Sequence, residues 1–190
     1  MRHGFVKVAA ATPDIRVADV AYNTQKICGL IDETVKEGAK VVAFPELCVT
    51  GYTCGDLFTQ EVLLKEARAA LHKIARHTKG KDALIFVGVP VAVEGKLYNV
   101  AAALNQGKIL GLTTKSFLPN YGEFYEMRQF TEGPSAAREI LFDGEKMPFG
   151  PQLLFVADSM ESLVVSAEIC EDAWSSVPPS IEAAREGAVI

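Results

Sequence analysis

A chain of 190 residues with 49% hydrophobic and 23% charged residues has the balance of a soluble globular protein and the length of one domain. Its net charge of −5 comes without a run of like charges, which argues against a nucleic-acid groove or a basic membrane-binding face and favours small molecules or other proteins as partners. The N-terminal MRHGFVKVAAATPD lacks the apolar stretch of a signal peptide, and no window reaches the roughly 20 apolar residues of a membrane span, so the expected setting is the cytoplasm.

Phe5 to Ala11 is a short apolar run that predicts a strand. Ile27, Leu30, Ile31 and Val35 set a helical period over Asn23 to Glu37, ended by Gly38. Lys40 to Phe44 predicts a second buried strand, Glu61 to Thr78 a second helix (Leu64, Ala67, Leu71, Ile74, Ala75) stopped near Gly80, and Ala83 to Val93 a third strand: βαβαβ. The pattern then changes to consecutive antiparallel strands. Val87 to Val93 and Leu97 to Leu104 flank Glu94-Gly95-Lys96, and Gln106-Gly107-Lys108 leads into Ile109 to Thr114. Residues 116–135, SFLPNYGEFYEMRQFTEGPS, are too long and too rich in aromatic, charged, Pro and Gly residues for a plain connection and predict a functional loop. Strands are expected around Gln152 to Val156 and Leu163 to Ile169, then a helix over Pro178 to Glu186. Ala188-Val189-Ile190 reads as a buried strand barely begun, and the expectation is an N-terminal part of a longer domain.

Three polar residues share one kind of place. Glu46 follows VVAF, Lys115 follows ILGLTT, and Cys170 follows LVVSAEI, each at a strand's carboxyl end, where the loops of α/β sheets converge on ligands. A thiol with an ordinary pKa of about 8.5 is mostly protonated at neutral pH, and a neighbouring carboxylate can take its proton as it attacks. Attack on an amide carbonyl builds negative charge on oxygen, which a fixed ammonium and a backbone N–H stabilise. Singly, each residue has a plainer reading: a cysteine ending a strand is usually a small buried hydrophobe, a glutamate after Phe-Pro a solvated carboxylate, a lysine after a strand surface charge.

Other candidates carry less. The four cysteines, Cys28, Cys48, Cys54 and Cys170, have no CxxC spacing and no accompanying histidine pair, so neither a metal site nor a disulfide framework is expected. Cys48 and Cys54 could border a pocket around Glu46, whereas Cys28 falls on the apolar side of the first helix. His3, His72 and His77 have no obvious catalytic companion and read as surface residues. Lys79-Gly80-Lys81 lacks phosphate-loop spacing, and neither a Rossmann GxGxxG nor an SGGxDS pyrophosphate motif occurs.

Surroundings change the weighting of the trio. FPELCVTGYTCGDLF around Glu46, Lys115 followed by LPNYGEFYEMRQF, and ICEDAW followed by VPPS resemble the three catalytic blocks of the nitrilase superfamily of carbon–nitrogen hydrolases. The PNYGxFxExRxF and CEDxW patterns with PPS are most similar to the branch formed by the N-terminal glutamine amidotransferase domains of glutamine-dependent NAD synthetases. That resemblance implies a four-layer αββα sandwich, with Glu46 as general base, Lys115 as oxyanion-stabilising cation and Cys170 as nucleophile. It further implies Glu126 as a carboxylate positioning Lys115 or the substrate, the Glu171 N–H in the oxyanion hole, and Tyr52 and Tyr121 lining a glutamine pocket. Asp172 is expected to cap the turn after Cys170, and Trp174 to pack beneath it or simply in the core.

The implied reaction is hydrolysis of the glutamine side-chain amide through a glutamyl thioester, the ammonia passing to a synthetase domain that amidates nicotinic acid adenine dinucleotide to NAD. ATP and magnesium belong to that domain, absent from these residues, and no cofactor is expected here. A homo-oligomer is expected, with glutamine and the synthetase domain as partners, and neither nucleic acid nor membrane. Two rivals stand beside this reading: a free-standing nitrilase-type amidase acting on another small amide, and a catalytically silent assembly module.

Overall fold

The computed structural model describes residues 4–190. Its framework is a seven-stranded sheet in the order β1-β2-β3-β4-β5-β7-β6, accompanied by a two-stranded sheet, β8-β9. The strands are β1 (Val8–Ala10), β2 (Val41–Ala43), β3 (Leu84–Val93), β4 (Lys96–Asn105), β5 (Lys108–Thr114), β6 (Arg138–Phe142), β7 (Glu145–Gly150), β8 (Phe155–Ala157) and β9 (Met160–Val165). The helices are α1 (Val20–Lys36), α2 (Glu61–His77) and α3 (Pro179–Arg185). β1, β2 and β3 run parallel, as the two crossover helices require, and β3, β4 and β5 alternate.

Alternation along the central strands assigns the two faces of the large sheet. Val42, Ile85, Val87, Val89, Ala102 and Leu104 pack in one cluster with Ile27 and Ile31 of α1 and Leu71 and Ile74 of α2. Val41, Phe86 and Ala103, one residue out of step, meet Leu163 and Val165 of β9. Phe86 and Phe155 touch edge to face with ring centroids 5.5 Å apart. Helices, large sheet and small sheet are thus the first three layers of the expected sandwich, and α3 follows β9 in the chain. Burying each fully enclosed Ile or Leu of the helical face contributes about 1.5–3 kcal/mol.

α1 begins where the Asp19 carboxylate accepts the Tyr22 N–H at 3.0 Å, three residues earlier than the periodicity indicates. Val20, Asn23, Thr24, Ile27 and Ile31 form its buried stripe. The β3–β4 and β4–β5 hairpins turn through Glu94-Gly95 and Gln106-Gly107, both residues of each pair with positive φ, as two-residue turns between twisted strands demand. Asp143-Gly144 repeats the same turn and joins β6 to β7, a hairpin the sequence reading passed over. Through it the large sheet gains two strands, with β7 parallel to β5.

Several expected elements are shorter than their apolar runs. β1 occupies only Val8–Ala10 of the Phe5 to Ala11 run, and Phe5 is exposed. The strand placed at Gln152 to Val156 is β8, Phe155–Ala157. The one placed over Leu163 to Ile169 ends at Val165, because beyond it the main chain finds other partners. Ser166 N–H donates to the Ile190 carbonyl at 2.9 Å, and Ile169 N–H donates to a side chain, Asp172 Oδ2, at 3.0 Å. Residues 116–135 hold no strand and one short 3-10 turn, Glu126–Arg128. His3 lies outside the described residues. No helix among the described residues is long and apolar enough to cross a membrane.

Candidate active site

Glu46, Lys115 and Cys170 come together at one edge of the fold, each delivered by a different constraint. After β2 the chain stays bonded to β3: Phe44 N–H donates to the Phe86 carbonyl at 2.9 Å and Val49 N–H to the Gly88 carbonyl at 3.2 Å. The segment between them turns at Leu47 (φ 50°) and carries Glu46 over Gly88. Lys115 directly continues β5. Its N–H donates to the Asn99 carbonyl of β4 at 2.9 Å, and its own carbonyl accepts from Gly133 N–H at 2.9 Å, closing the long 116–135 loop back onto it.

Cys170 sits in the left-handed region at φ 49°, an unfavourable place for a residue with a Cβ, and opens a 3-10 turn, Cys170–Trp174. Asp172 holds that turn. Its buried carboxylate accepts from Ser116 N–H at 2.9 Å and Phe117 N–H at 2.8 Å through Oδ1, and from Ile169 N–H through Oδ2. One side chain therefore ties the cysteine turn to the two residues that follow the lysine. Its capping role is wider than the local turn the sequence suggests.

The Lys115 side chain is 0% exposed, and its Nζ donates to Glu46 Oε1 at 2.6 Å and to Glu126 Oε1 at 2.7 Å. Tyr52 OH donates to the same Glu126 oxygen at 2.8 Å, and Asn99 Nδ2 to the same Glu46 oxygen at 2.6 Å. The result is a continuous chain, Asn99–Glu46–Lys115–Glu126–Tyr52. Burial alone pulls the Lys115 ammonium toward its neutral form, but the two carboxylates outweigh it and hold the pKa above the ordinary lysine value. Burial, then the bond to Glu126, raises the Tyr52 phenol. Both keep their protons at neutral pH.

The Cys170 thiol is raised above its ordinary value by burial first and by the Glu46 charge next, with Lys115 opposing both. A thiol in that setting is protonated at neutral pH, and the Glu46 carboxylate beside it is placed to accept its proton. Cys170, Glu46, Phe44, Gly88, Ile169 and Ile190 border a cavity of about 280 Å³, at the small end for a ligand site.

The remaining candidates separate. Glu126 lies in the network, bonded to Lys115 and Tyr52. Tyr52 reaches it through Glu126, whereas Tyr121 is exposed and donates to the Glu171 carboxylate at 2.9 and 3.1 Å, outside the network. Trp174 supports nothing: it is 81% exposed, because the turn directs it away from the core. Cys48 and Cys54 do not border the cavity; both are buried in the helical-face core, where Cys48 donates to the Gly88 carbonyl and burial pushes its thiol up to about 12. Cys28 packs against the same core. His72 and His77 of α2 do have acid companions, Asp143 of the β6–β7 turn at 2.5 Å and Asp32 of α1 at 2.9 Å, in partly exposed pairs.

Two residues of the site were not singled out from the sequence. Asn99 could have been, as an amide inside the apolar strand LYNVAAAL, where a polar side chain needs a partner. Gly88 left a fainter signal, a glycine inside a strand, which marks close backbone approach.

Residues 7–190 match the family model described as carbon–nitrogen hydrolase. The chain is 36% identical over 189 residues to the glutamine-dependent NAD(+) synthetase of Mycobacterium tuberculosis, a match covering 100% of this chain and 28% of that protein. The solved structure of a glutamine-dependent NAD(+) synthetase from Cytophaga hutchinsonii superposes with a TM-score of 0.80 at 29% identity, covering 87% of this chain and 28% of that one. An amidase from Nesterenkonia sp. shares the fold, with a TM-score of 0.60 at 21% identity over 78% of this chain and 56% of the amidase. The chain thus spans 28% of the length of the Mycobacterium tuberculosis relative it matches. With nearly every residue inside the match and the α/β layers in place, the chain belongs to the carbon–nitrogen hydrolase family, the nitrilase superfamily of its sequence resemblance.

Proposed function

We propose that this chain hydrolyses the side-chain amide of glutamine, with Cys170 as nucleophile, Glu46 as general base and Lys115 as the cation facing the developing oxyanion. The observation that carries the proposal is the buried Lys115 ammonium, fixed 2.6 Å from Glu46 and 2.7 Å from Glu126 beside the cavity that Cys170 and Glu46 border. Cys170 Sγ attacks the amide carbon and its proton passes to Glu46. The negative oxygen is met by Lys115 and the Glu171 N–H, a preorganised pair of the kind worth about 10²–10³ in rate per donor. Collapse breaks the C–N bond, Glu46 returns the proton to the departing ammonia, and a γ-glutamyl thioester remains. Water, deprotonated by Glu46, then releases glutamate and restores the thiol.

Glutamine is favoured over other amides by the two synthetases, at 36% and 29% identity, whose names carry it. On this reading residues 1–190 are the N-terminal part of a glutaminase domain that needs no cofactor, Tyr52 and Tyr121 contribute to substrate binding, and ammonia serves a synthetase part using ATP and magnesium to form NAD. Sub-stoichiometric treatment with an electrophilic diazo-ketone analogue of glutamine, followed by peptide mapping, tests it. Cys170 should be modified ahead of Cys28, Cys48 and Cys54, and free glutamine should protect it. Equal modification of Cys48 or Cys54 would overturn the assignment, and faster cleavage of a simple amide than of glutamine would favour a free-standing amidase. In the full-length protein Cys170→Ala should abolish NAD formation from glutamine and preserve it from ammonia.

A further inference from the structure

We infer that Asn99 is the positioning residue of this site: its side-chain amide pins Glu46 with one carboxylate oxygen on Lys115 and the other free for Cys170. The inference rests on the assignment of Glu46 as base made above. Asn99 lies inside β4, paired with Pro90 of β3, and is 1% exposed. Its neighbours Tyr98 and Val100 belong to the helical-face core. Asn99 therefore points to the opposite face, alongside Ala101, which borders the cavity.

An amide at such a position carries a desolvation cost that an alanine or valine would avoid. Its compensation is a single side-chain hydrogen bond, Nδ2 to Glu46 Oε1 at 2.6 Å. Asn99 Oδ1 is buried without a partner among the described residues, so the side chain serves no second anchor. The nitrogen must be the atom facing Glu46, since a carboxylate paired with an ammonium accepts hydrogen bonds and donates none. Oε1 of Glu46 is thereby engaged twice, by Asn99 and by Lys115. Neither donor uses Oε2, the oxygen left to receive the thiol proton.

The same residue also fixes the cation, because the Asn99 carbonyl accepts the Lys115 N–H at 2.9 Å. One strand position thus sets the separation between base and ammonium, and it does so from the middle of a sheet, where precision is greatest. Asn99 touches no reacting atom on this account and acts wholly through Glu46.

The test is the pH dependence of Cys170 alkylation by iodoacetamide, followed by peptide mapping, which needs no recognition of glutamine. The charged groups facing the thiol are Glu46, Lys115 and Glu126. In Asn99→Leu the carboxylate loses its second anchor and drifts from the thiol, so the alkylation midpoint should fall by about one pH unit, toward that of Glu46→Gln. In the Glu46→Gln background the Asn99→Leu change should have no further effect. Asn99→Asp, isosteric but repelling Glu46, should also displace the base while its own charge offsets part of the effect, so the midpoint should fall less than in Asn99→Leu. An unmoved midpoint in Asn99→Leu, or an equal shift in both backgrounds, would overturn the inference, as would loss of folding in both Asn99 variants. Where glutamate release is measured, kcat should fall at least about tenfold in Asn99→Leu with KM little changed. Wild-type protein that alkylates as described but releases no glutamate would defeat the glutamine assignment alone.

Discussion

Gly88 lies directly beneath the main chain of Glu46: a Cβ built on it would fall 2.8 Å from the Glu46 carbonyl carbon and within closer, forbidden range of the Pro45 oxygen and Leu47 nitrogen. All three are backbone atoms, so no side chain can swing aside to make room. Glu46 is therefore held down on β3 by contact, and its position depends on a hydrogen atom where other residues carry a methyl group.

Gly88→Ala should accordingly lift the Pro45–Leu47 segment and strain its bond from Val49 N–H to the Gly88 carbonyl. Overpacking of this kind costs about 1–3 kcal/mol. Cys170 labelling by the glutamine analogue should slow at least about tenfold, because a base displaced by about 1 Å loses that much or more. Thermal unfolding and labelling measured together check it. A variant with wild-type values for both would show that the segment yields freely.

Lys115 and Cys170 should separate cleanly in their effect on stability. Lys115→Met leaves Glu46 and Glu126 facing each other without a cation in a mostly buried place, a loss of about 3–5 kcal/mol. Adding Glu126→Gln should restore part of it by removing one of the stranded charges. Cys170→Ala, at a residue exposed overall whose thiol is only partly enclosed by the site, should change stability by less than about 1 kcal/mol. Because the Lys115 pKa is raised in the folded state, its contribution is complete below the ordinary lysine range and disappears only as pH climbs through the higher folded value. Urea unfolding from neutral to strongly alkaline pH should show the wild type losing its advantage over Lys115→Met only at the alkaline end.

The βαβαβ opening, the first two hairpins and the placing of Glu46 and Lys115 just after their strands were legible because each has a local cause: apolar periodicity, a two-residue turn, a polar residue ending an apolar run; Cys170, by contrast, stands well beyond Val165, where β9 ends. Residues 138–150 were equally legible, since Asp143-Gly144 between alternating strands is a strong hairpin signal. What no local pattern could supply is the convergence of partners. Asp172 takes N–H groups from Ser116 and Phe117, 55 or more residues away in the chain. Nothing in LVVSAEI announces that the strand would end at Val165, where the Ser166 N–H turns to the Ile190 carbonyl. Trp174 was misread for a similar reason, an aromatic residue being assigned to the core on composition when the turn at Cys170 turns it outward.

Asp172→Ala removes the acceptor of three main-chain N–H groups, two in the segment after Lys115 and one just before Cys170. Leaving such donors unpaired should cost about 2 kcal/mol or more. The larger effect should be functional. With that tie gone, the cysteine turn and the lysine loop keep only the exposed Tyr121–Glu171 hydrogen bonds between them, too weak to hold the turn, and labelling at Cys170 should lose its preference over Cys28. Proteolysis should also open the chain near residues 170–175 sooner than in the wild type. Retained selectivity with only a stability loss would show that the turn is held by its own backbone.

Glu46→Gln should move thiol ionisation and catalysis in opposite directions. In the folded protein the Cys170 thiol is raised by burial and by the Glu46 charge, while Lys115 pulls it down. Taking away the carboxylate charge leaves burial opposed by an ammonium with one fewer counterion, so the thiol should ionise at lower pH and the thiolate fraction at neutral pH should increase. An enzyme limited by thiolate supply would then speed up. If Glu46 instead carries the proton through attack, return to ammonia and activation of water, amide cleavage should fall by about 10²–10⁴ despite the more ionised thiol. The two quantities are measured separately, thiolate by ultraviolet absorbance or alkylation against pH, cleavage by glutamate release from the longest soluble form of the protein. A parallel fall in both would place Glu46 as a group that merely supports the thiol. A rise in thiolate accompanied by loss of turnover is the outcome required of a base that must accept and give back the same proton at each half of the reaction.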